Sequence, residues 1–161
     1  MVDSKNQTTI QNAIANATGI LVTAPDQSRV MNALAGLAST LHNAWAGGKV
    51  ILADNAAAAA LGQAMSTDPT PTSSSPEGDS MEDFLVGGVT IQPGLNWIPG
   101  DAVEPRIVVD RHWGRAYNHL YQNPALLALG VDRATAVEFT TTGATVWGQN
   151  TIVLFDGRFA S

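Results

Sequence analysis

The chain has no cysteine, so a disulfide framework, a thiolate nucleophile and a cysteine-ligated metal site are excluded, and its redox compartment is left undetermined. Charge is scarce as well. Asp, Glu, Lys and Arg make up 14% of the 161 residues, against 45% hydrophobic, which is thin cover for a soluble monomer. Much of the surface is therefore expected to be covered by a partner. Basic residues are the scarcer sign: eight Lys+Arg against fourteen Asp+Glu give a net charge of -6 and a pI near 4.7. That sign is wrong for gripping a phosphate backbone, so nucleic acid is not expected as a partner. No apolar run approaches the roughly 18 residues of a membrane span. The polar start Met1-Val-Asp-Ser-Lys-Asn6 shows no signal peptide, so the default expectation is cytoplasmic, with an extracellular location not excluded.

What is present reads as alternating elements of one domain over 1–161, a length that can bury roughly two-thirds of its unfolded surface. Ile10, Ala13, Ile14 and Ala17 recur at helical spacing, and residues 19–23 form a short apolar run that reads as a buried strand. From Ser28, placed to cap, the set Val30, Leu34, Leu37, Leu41 and Trp45 predicts one helix closed by Gly47 and Gly48. Residues 49–53 predict a second buried strand, and 56–65 an alanine-rich helix able to approach a sheet closely. Residues 66–83, rich in Ser, Thr and Pro, read as an exposed loop. Further strands are expected at 107–110, 136–140, 144–147 and 151–155, with helices at 114–122 and 125–129. The predicted class is α/β: a three-layer αβα arrangement with a mostly parallel sheet and antiparallel strands at the C-terminal end. Ligands in such sheets sit at the carboxyl ends of strands, here 24–27, 54–55 and 110–112.

Several ordered segments carry a resemblance. Gly94-Leu-Asn-Trp-Ile-Pro-Gly100, Val108-Val-Asp-Arg-His-Trp113 and Tyr121-Gln-Asn-Pro124 through Gly130-Val-Asp132 follow one another in a familiar order. Upstream stand Gly19-Ile-Leu-Val-Thr-Ala-Pro-Asp-Gln27 and Val50-Ile-Leu-Ala-Asp-Asn55 with the alanines after it. Together, from about residue 13 to 157, they resemble the cyanophycinase-like group of serine peptidases, which has a class I glutamine amidotransferase-like, flavodoxin-like fold. The resemblance implies that the chain matches the C-terminal two-thirds of the family domain. Strands that open that domain would then have to come from another copy of the chain or from a separate chain.

The resemblance also implies where a site would be and what it has lost. The family's nucleophilic serine sits on a strained strand-to-helix turn; here Asn55 stands at that position, after Asp54. His112 matches the catalytic histidine, while the acidic pair that should orient it reads Asp132-Arg133. Without a nucleophile and a full acidic pair the triad cannot run. Asp26, Gln27, Asp110 and Arg115 are what the resemblance leaves of a substrate-binding set, with an unfamiliar Arg111 among them, and Pro25 removes a backbone donor beside Gln27. The expectation is a catalytically inactive, self-assembling structural protein. Two alternatives stay open: a hydrolase of acidic or isoaspartyl peptides, working as half of a split enzyme, and an acidic-peptide binding module. No cofactor or metal is expected, since His42, His112 and His119 are scattered, the first and last reading as ordinary helix-face residues. Asn55 also reads simply as a turn residue tolerant of left-handed geometry, and the four tryptophans as core or interface anchors.

Overall fold

The first two apolar runs become parallel neighbours. A computed structural model describes residues 6–24, 26–67, 83–85 and 88–158, and in it β1 (Gly19–Ala24) pairs in register with β2 (Val50–Asn55), Ala24 opposite Asn55. Alternation sorts their side chains. Ile20, Val22, Ala24, Ile51 and Ala53 face inward, while Leu21, Val50 and Leu52 stand 62%, 70% and 55% exposed on the other face. The inward set packs with α1 (Gln7–Asn16), α2 (Gln27–Leu34) and α3 (Ala38–Ala46) around Ile14, Val30, Leu34, Leu37 and Leu41. Full burial of one such leucine contributes about 1.5–3 kcal/mol.

The stretch expected as one helix from Ser28 is broken by a turn at 35–37 into α2 and α3, and Asp26 rather than Ser28 is the cap, accepting from Arg29 N at 2.8 Å. Directly after β2 comes α4 (Ala56–Leu61), whose Ala56, Ala57, Ala59 and Ala60 are buried between β1–β2 and the second sheet. It is shorter than the alanine pattern suggests. Gly62 leaves the helix in extended geometry and opens β3 (Gly62–Thr67), where a Cβ would lie 2.9 Å from both the Ala64 and Asp101 carbonyl oxygens. Close strand approach wins over helix propensity here.

The second sheet has the order β4 (Thr90–Pro93), β3, β5 (Ile98–Pro105), β6 (Leu127–Val131), β9 (Ile152–Asp156). β3, β5 and β6 run parallel, and the edge strands β4 and β9 antiparallel. The chain is thus mixed α/β with parallel strands at the centre of its sheet and antiparallel ones beside them. Three further expectations need correction. Residues 107–110 are not a strand: β5 ends at Pro105, and 106–112 is a turn that drives Ile107 into the second core. Residues 125–129 are not a helix, because 127–131 is taken as β6 between β5 and β9. Residues 66–67 are buried in β3 and Asp83 is only 8% exposed, so the ends of the supposed exposed loop are packed, while its interior and Pro25 lie outside the described residues.

The hairpin of β7 (Thr135–Thr140) and β8 (Gly143–Gly148) forms as the tail pattern predicts. β9 then leaves it to pair with β6. α5 (Trp113–Gln122) packs on β6 and buries Ala116, Asn118 and His119. Among the described residues no helix is long and apolar enough to cross a membrane.

Candidate functional site

The end of β2 is the sharpest point in the backbone. Asn55 has φ 53 and ψ -121, and α4 starts at the next residue. The positive φ agrees with a turn residue, yet this ψ lies far from the ordinary left-handed well near +47° and is tolerated mainly by glycine. A strand running into a helix through such a residue is the strained arrangement on which nucleophile elbows present a side chain. Here the tip is an exposed amide without a capping hydrogen bond, and it has no ionisable oxygen.

Around this tip the strand ends gather charge. Arg106, directly after β5 and at φ 60, forms a bidentate pair with Asp110 at 2.5 and 2.9 Å. Those hydrogen bonds hold the Asp110 carboxyl below its ordinary value against some desolvation, helped by the charges of Arg106, His112 and Arg115. The same pair raises Arg106, with smaller contributions from Asp54 and Asp132, which puts the ends of β2, β5 and β6 in one electrostatic neighbourhood. Asp83 bonds Arg115 at 3.3 Å in a nearly buried pair. Burial pushes its carboxyl up, and Arg115 and His112 only partly offset this.

His112 lies before α5, and its Nδ1 is 3.2 Å from the Pro105 carbonyl, so Nδ1 carries the hydrogen and donates it. The ring is thus held by backbone at a strand end. Asp132 leaves Oδ1 buried without a partner among the described residues, and Arg133 is exposed in a turn, its carbonyl accepting from Asn150 Nδ2 at 2.8 Å. Asp26 is committed to α2 through Arg29 at 3.0 Å, Gln27 is buried at the start of that helix, and Arg111 is exposed at φ 58. The fold therefore gathers Asp54, Asp110, His112, Arg115 and Asp132, and keeps Asp26 on its own helix. Arg106 and Asp83 were missed by the sequence reading. The first was hidden by placing a strand at 107–110, the second by its position at the end of a polar tract.

A second polar constellation lies inside the sheet. Ser66 Oγ donates to Glu104 Oε1 at 2.6 Å, and His119 Nε2 meets the same oxygen at 2.8 Å, with both members of the His119–Glu104 pair fully buried. His119 is thus no ordinary helix-face residue, because its side of α5 is pressed on β5. Burial alone would raise Glu104, but the hydrogen bond and charge of His119, with Ser66 and Arg115, outweigh it and hold the carboxyl low. Glu104 Oε2 and His119 Nδ1 have no hydrogen-bond partner among the described residues. Nothing here presents a nucleophile to solvent: Glu104 stands between the hydroxyl and the imidazole, so the histidine cannot take the Ser66 proton. His42 instead sits edge-on to Trp45 and Trp97, with ring centroids 5.6 and 5.9 Å away.

An open cleft of about 430 Å³ is lined by Gln63, Gln92, Pro93, Gln122, Asn123 and His119, and by none of the strand-end residues. Among the described residues no three His, Asp or Glu side chains gather as a metal site. Set beside known proteins, this mixed α/β chain matches no family model and no curated sequence.

Proposed function

We propose that the chain is a relative of the cyanophycinase-like serine peptidases, with their three-layer, flavodoxin-like architecture, that carries no peptidase chemistry and serves a structural role through self-association. The observation that carries this reading is the turn at Asn55. A strained strand-to-helix corner with an amide at its tip is what an elbow would look like after losing its serine. The backbone bond of His112 to Pro105 and the unpartnered Asp132 oxygen agree with a site no longer arranged for proton transfer.

Self-association is supported by the outer face of β1–β2. Parallel strands are ordinarily covered on both faces, and Leu21 opposite Leu52, with Val50 beside them, leaves an apolar surface that a second copy, or a chain bringing further strands, would cover. The acidic-peptide readings are less well served. Asp54, Asp83, Asp110 and Asp132 accompany the arginines at the strand ends, and the Asp110 pair already occupies Arg106.

Two measurements test the proposal. The native mass at micromolar concentration should exceed that of one chain and fall in a Leu21→Lys, Leu52→Lys variant; a monomeric unmodified chain overturns the structural role. Incubation with cyanophycin-like and aspartyl-dipeptide substrates should give no turnover. Hydrolysis by the unmodified chain, compared with an Asn55→Ser variant, would restore the enzymatic reading.

A further inference from the structure

Asn55 combines properties that bear on its own amide. The residue is exposed, its side chain makes no capping hydrogen bond, its successor is the small Ala56, and its ψ is -121. The substituents of an L-residue lie a third of a turn apart around Cα, so this ψ rotates the Ala56 nitrogen into eclipse with the Asn55 Cβ. That is the near-planar arrangement needed by a five-membered ring running from the Ala56 nitrogen through the Asn55 carbonyl carbon, Cα, Cβ and Cγ. Helical ψ, near -42°, turns the following nitrogen well away from Cβ, and inside a helix its N–H is engaged with the carbonyl four residues back. The Ala56 N–H opens α4 and has no intrahelical acceptor.

We propose that Asn55 is a site of spontaneous deamidation driven by the conformation of the β2–α4 turn. The Ala56 nitrogen attacks Asn55 Cγ; the N–Cγ bond forms, the C–NH2 bond breaks, and ammonia leaves with the proton lost by Ala56. Water then opens the succinimide at either carbonyl, placing its hydroxyl on that carbon and returning a hydrogen to the nitrogen. The products are aspartate, which sets a carboxylate beside Asp54 at the tip, and isoaspartate, which lengthens the backbone by one methylene at the corner. The strained turn thereby holds a ground state already rotated toward ring closure.

The sequence supplies its own controls. Asn12, Asn16, Asn32 and Asn43 are likewise followed by alanine, and all four lie in α1, α2 or α3. The intact chain is aged at mildly alkaline pH, digested, and each Asn-Ala peptide is followed by mass spectrometry for amide-to-acid conversion. An Asn55→Asp variant serves as the chromatographic standard for the aspartyl product. Asn55 should convert several-fold faster than the four helical sites, yielding both products, and in denaturant the five rates should converge. A rate at Asn55 no greater than at the helical sites overturns the proposal. An advantage that persists unchanged in denaturant overturns it too, since the turn would then not be its source.

Discussion

The strand-end cluster and the Ser66–Glu104–His119 network use the same kinds of side chain under opposite conditions. At the strand ends, Arg106 and Asp110 are 43% and 33% exposed and water shares their charge. Between β5 and α5, Glu104 and His119 are 0% exposed, and each depends on the other. Exposed pairs contribute little because solvent and salt screen them, whereas breaking a buried pair strands a charge. The exposed Arg106–Asp110 pair beside the strained tip is therefore a weaker tie on the fold than the buried network.

The sharpest way to break this contrast is Glu104→Ala. It leaves His119 and Ser66 buried without their shared acceptor, and should cost about 3–5 kcal/mol in urea unfolding; a loss below 1 kcal/mol would mean that water reaches the network. Gly130→Ala comes next. A Cβ there would collide with the Ile107 side chain, which must move within the second core, at about 1–3 kcal/mol of stability. If the shift is transmitted, the Arg106–Asp110 pair should loosen as well, which amide exchange at 106–112 would register.

Acid separates Glu104 from Asp83 by sign, while Asp110, held low by Arg106, follows Glu104. The Glu104 carboxyl is held below its ordinary value in the folded chain, so its stabilisation is complete above the unfolded glutamate pKa and is lost as pH falls through the folded value. Asp83, raised by burial, behaves oppositely: it disfavours the folded state at neutral pH, and this penalty is relieved as the carboxyl protonates. Glu104→Gln should flatten the acid limb of a stability-versus-pH curve; an unchanged limb would place the acid sensitivity elsewhere.

Asn55→Gly should relieve the strained corner, with a net gain of about 1 kcal/mol after glycine's greater unfolded entropy is set against the strain. No change in the unfolding midpoint would mean that the turn stores no strain. The smallest effect is expected for Arg106→Met. Its pair with Asp110 is well exposed, so the loss should stay below about 0.5 kcal/mol and vanish in high salt.

How far these regions could be read in the sequence follows from where their information lies. The runs at 19–23 and 49–53 and the strand pair at 136–140 and 144–147 announce themselves through local pattern, and the residues gathered at the strand ends are mostly reached through resemblance. β5 was not legible. Ile-Pro-Gly-Asp-Ala-Val-Glu-Pro lacks a strand pattern, and the chain accommodates it by a register shift opposite Gly62 and Ala64, with Gly100 at φ 84 and its N–H given to Gln63 Oε1 at 2.9 Å. The Ile-Val-Val run at 107–109 looks more like a strand than β5 does, but only Ile107 is buried, and Val108 and Val109 stand 42% and 40% exposed.

By itself the sequence determined the alternation of small helices and apolar strands, the tight alanine helix after β2, the absence of thiol chemistry and the acidic balance, because these depend on residue type and near-neighbour spacing. Only the tertiary structure decided that Glu104 is tolerable inside a sheet. Its partners Ser66 and His119 lie 38 and 15 residues away, and no local pattern records whether a buried carboxylate will meet them. The same holds for Asn55: its identity was plain, but the ψ that strains it is set by a strand and a helix packed on opposite sides of one peptide bond.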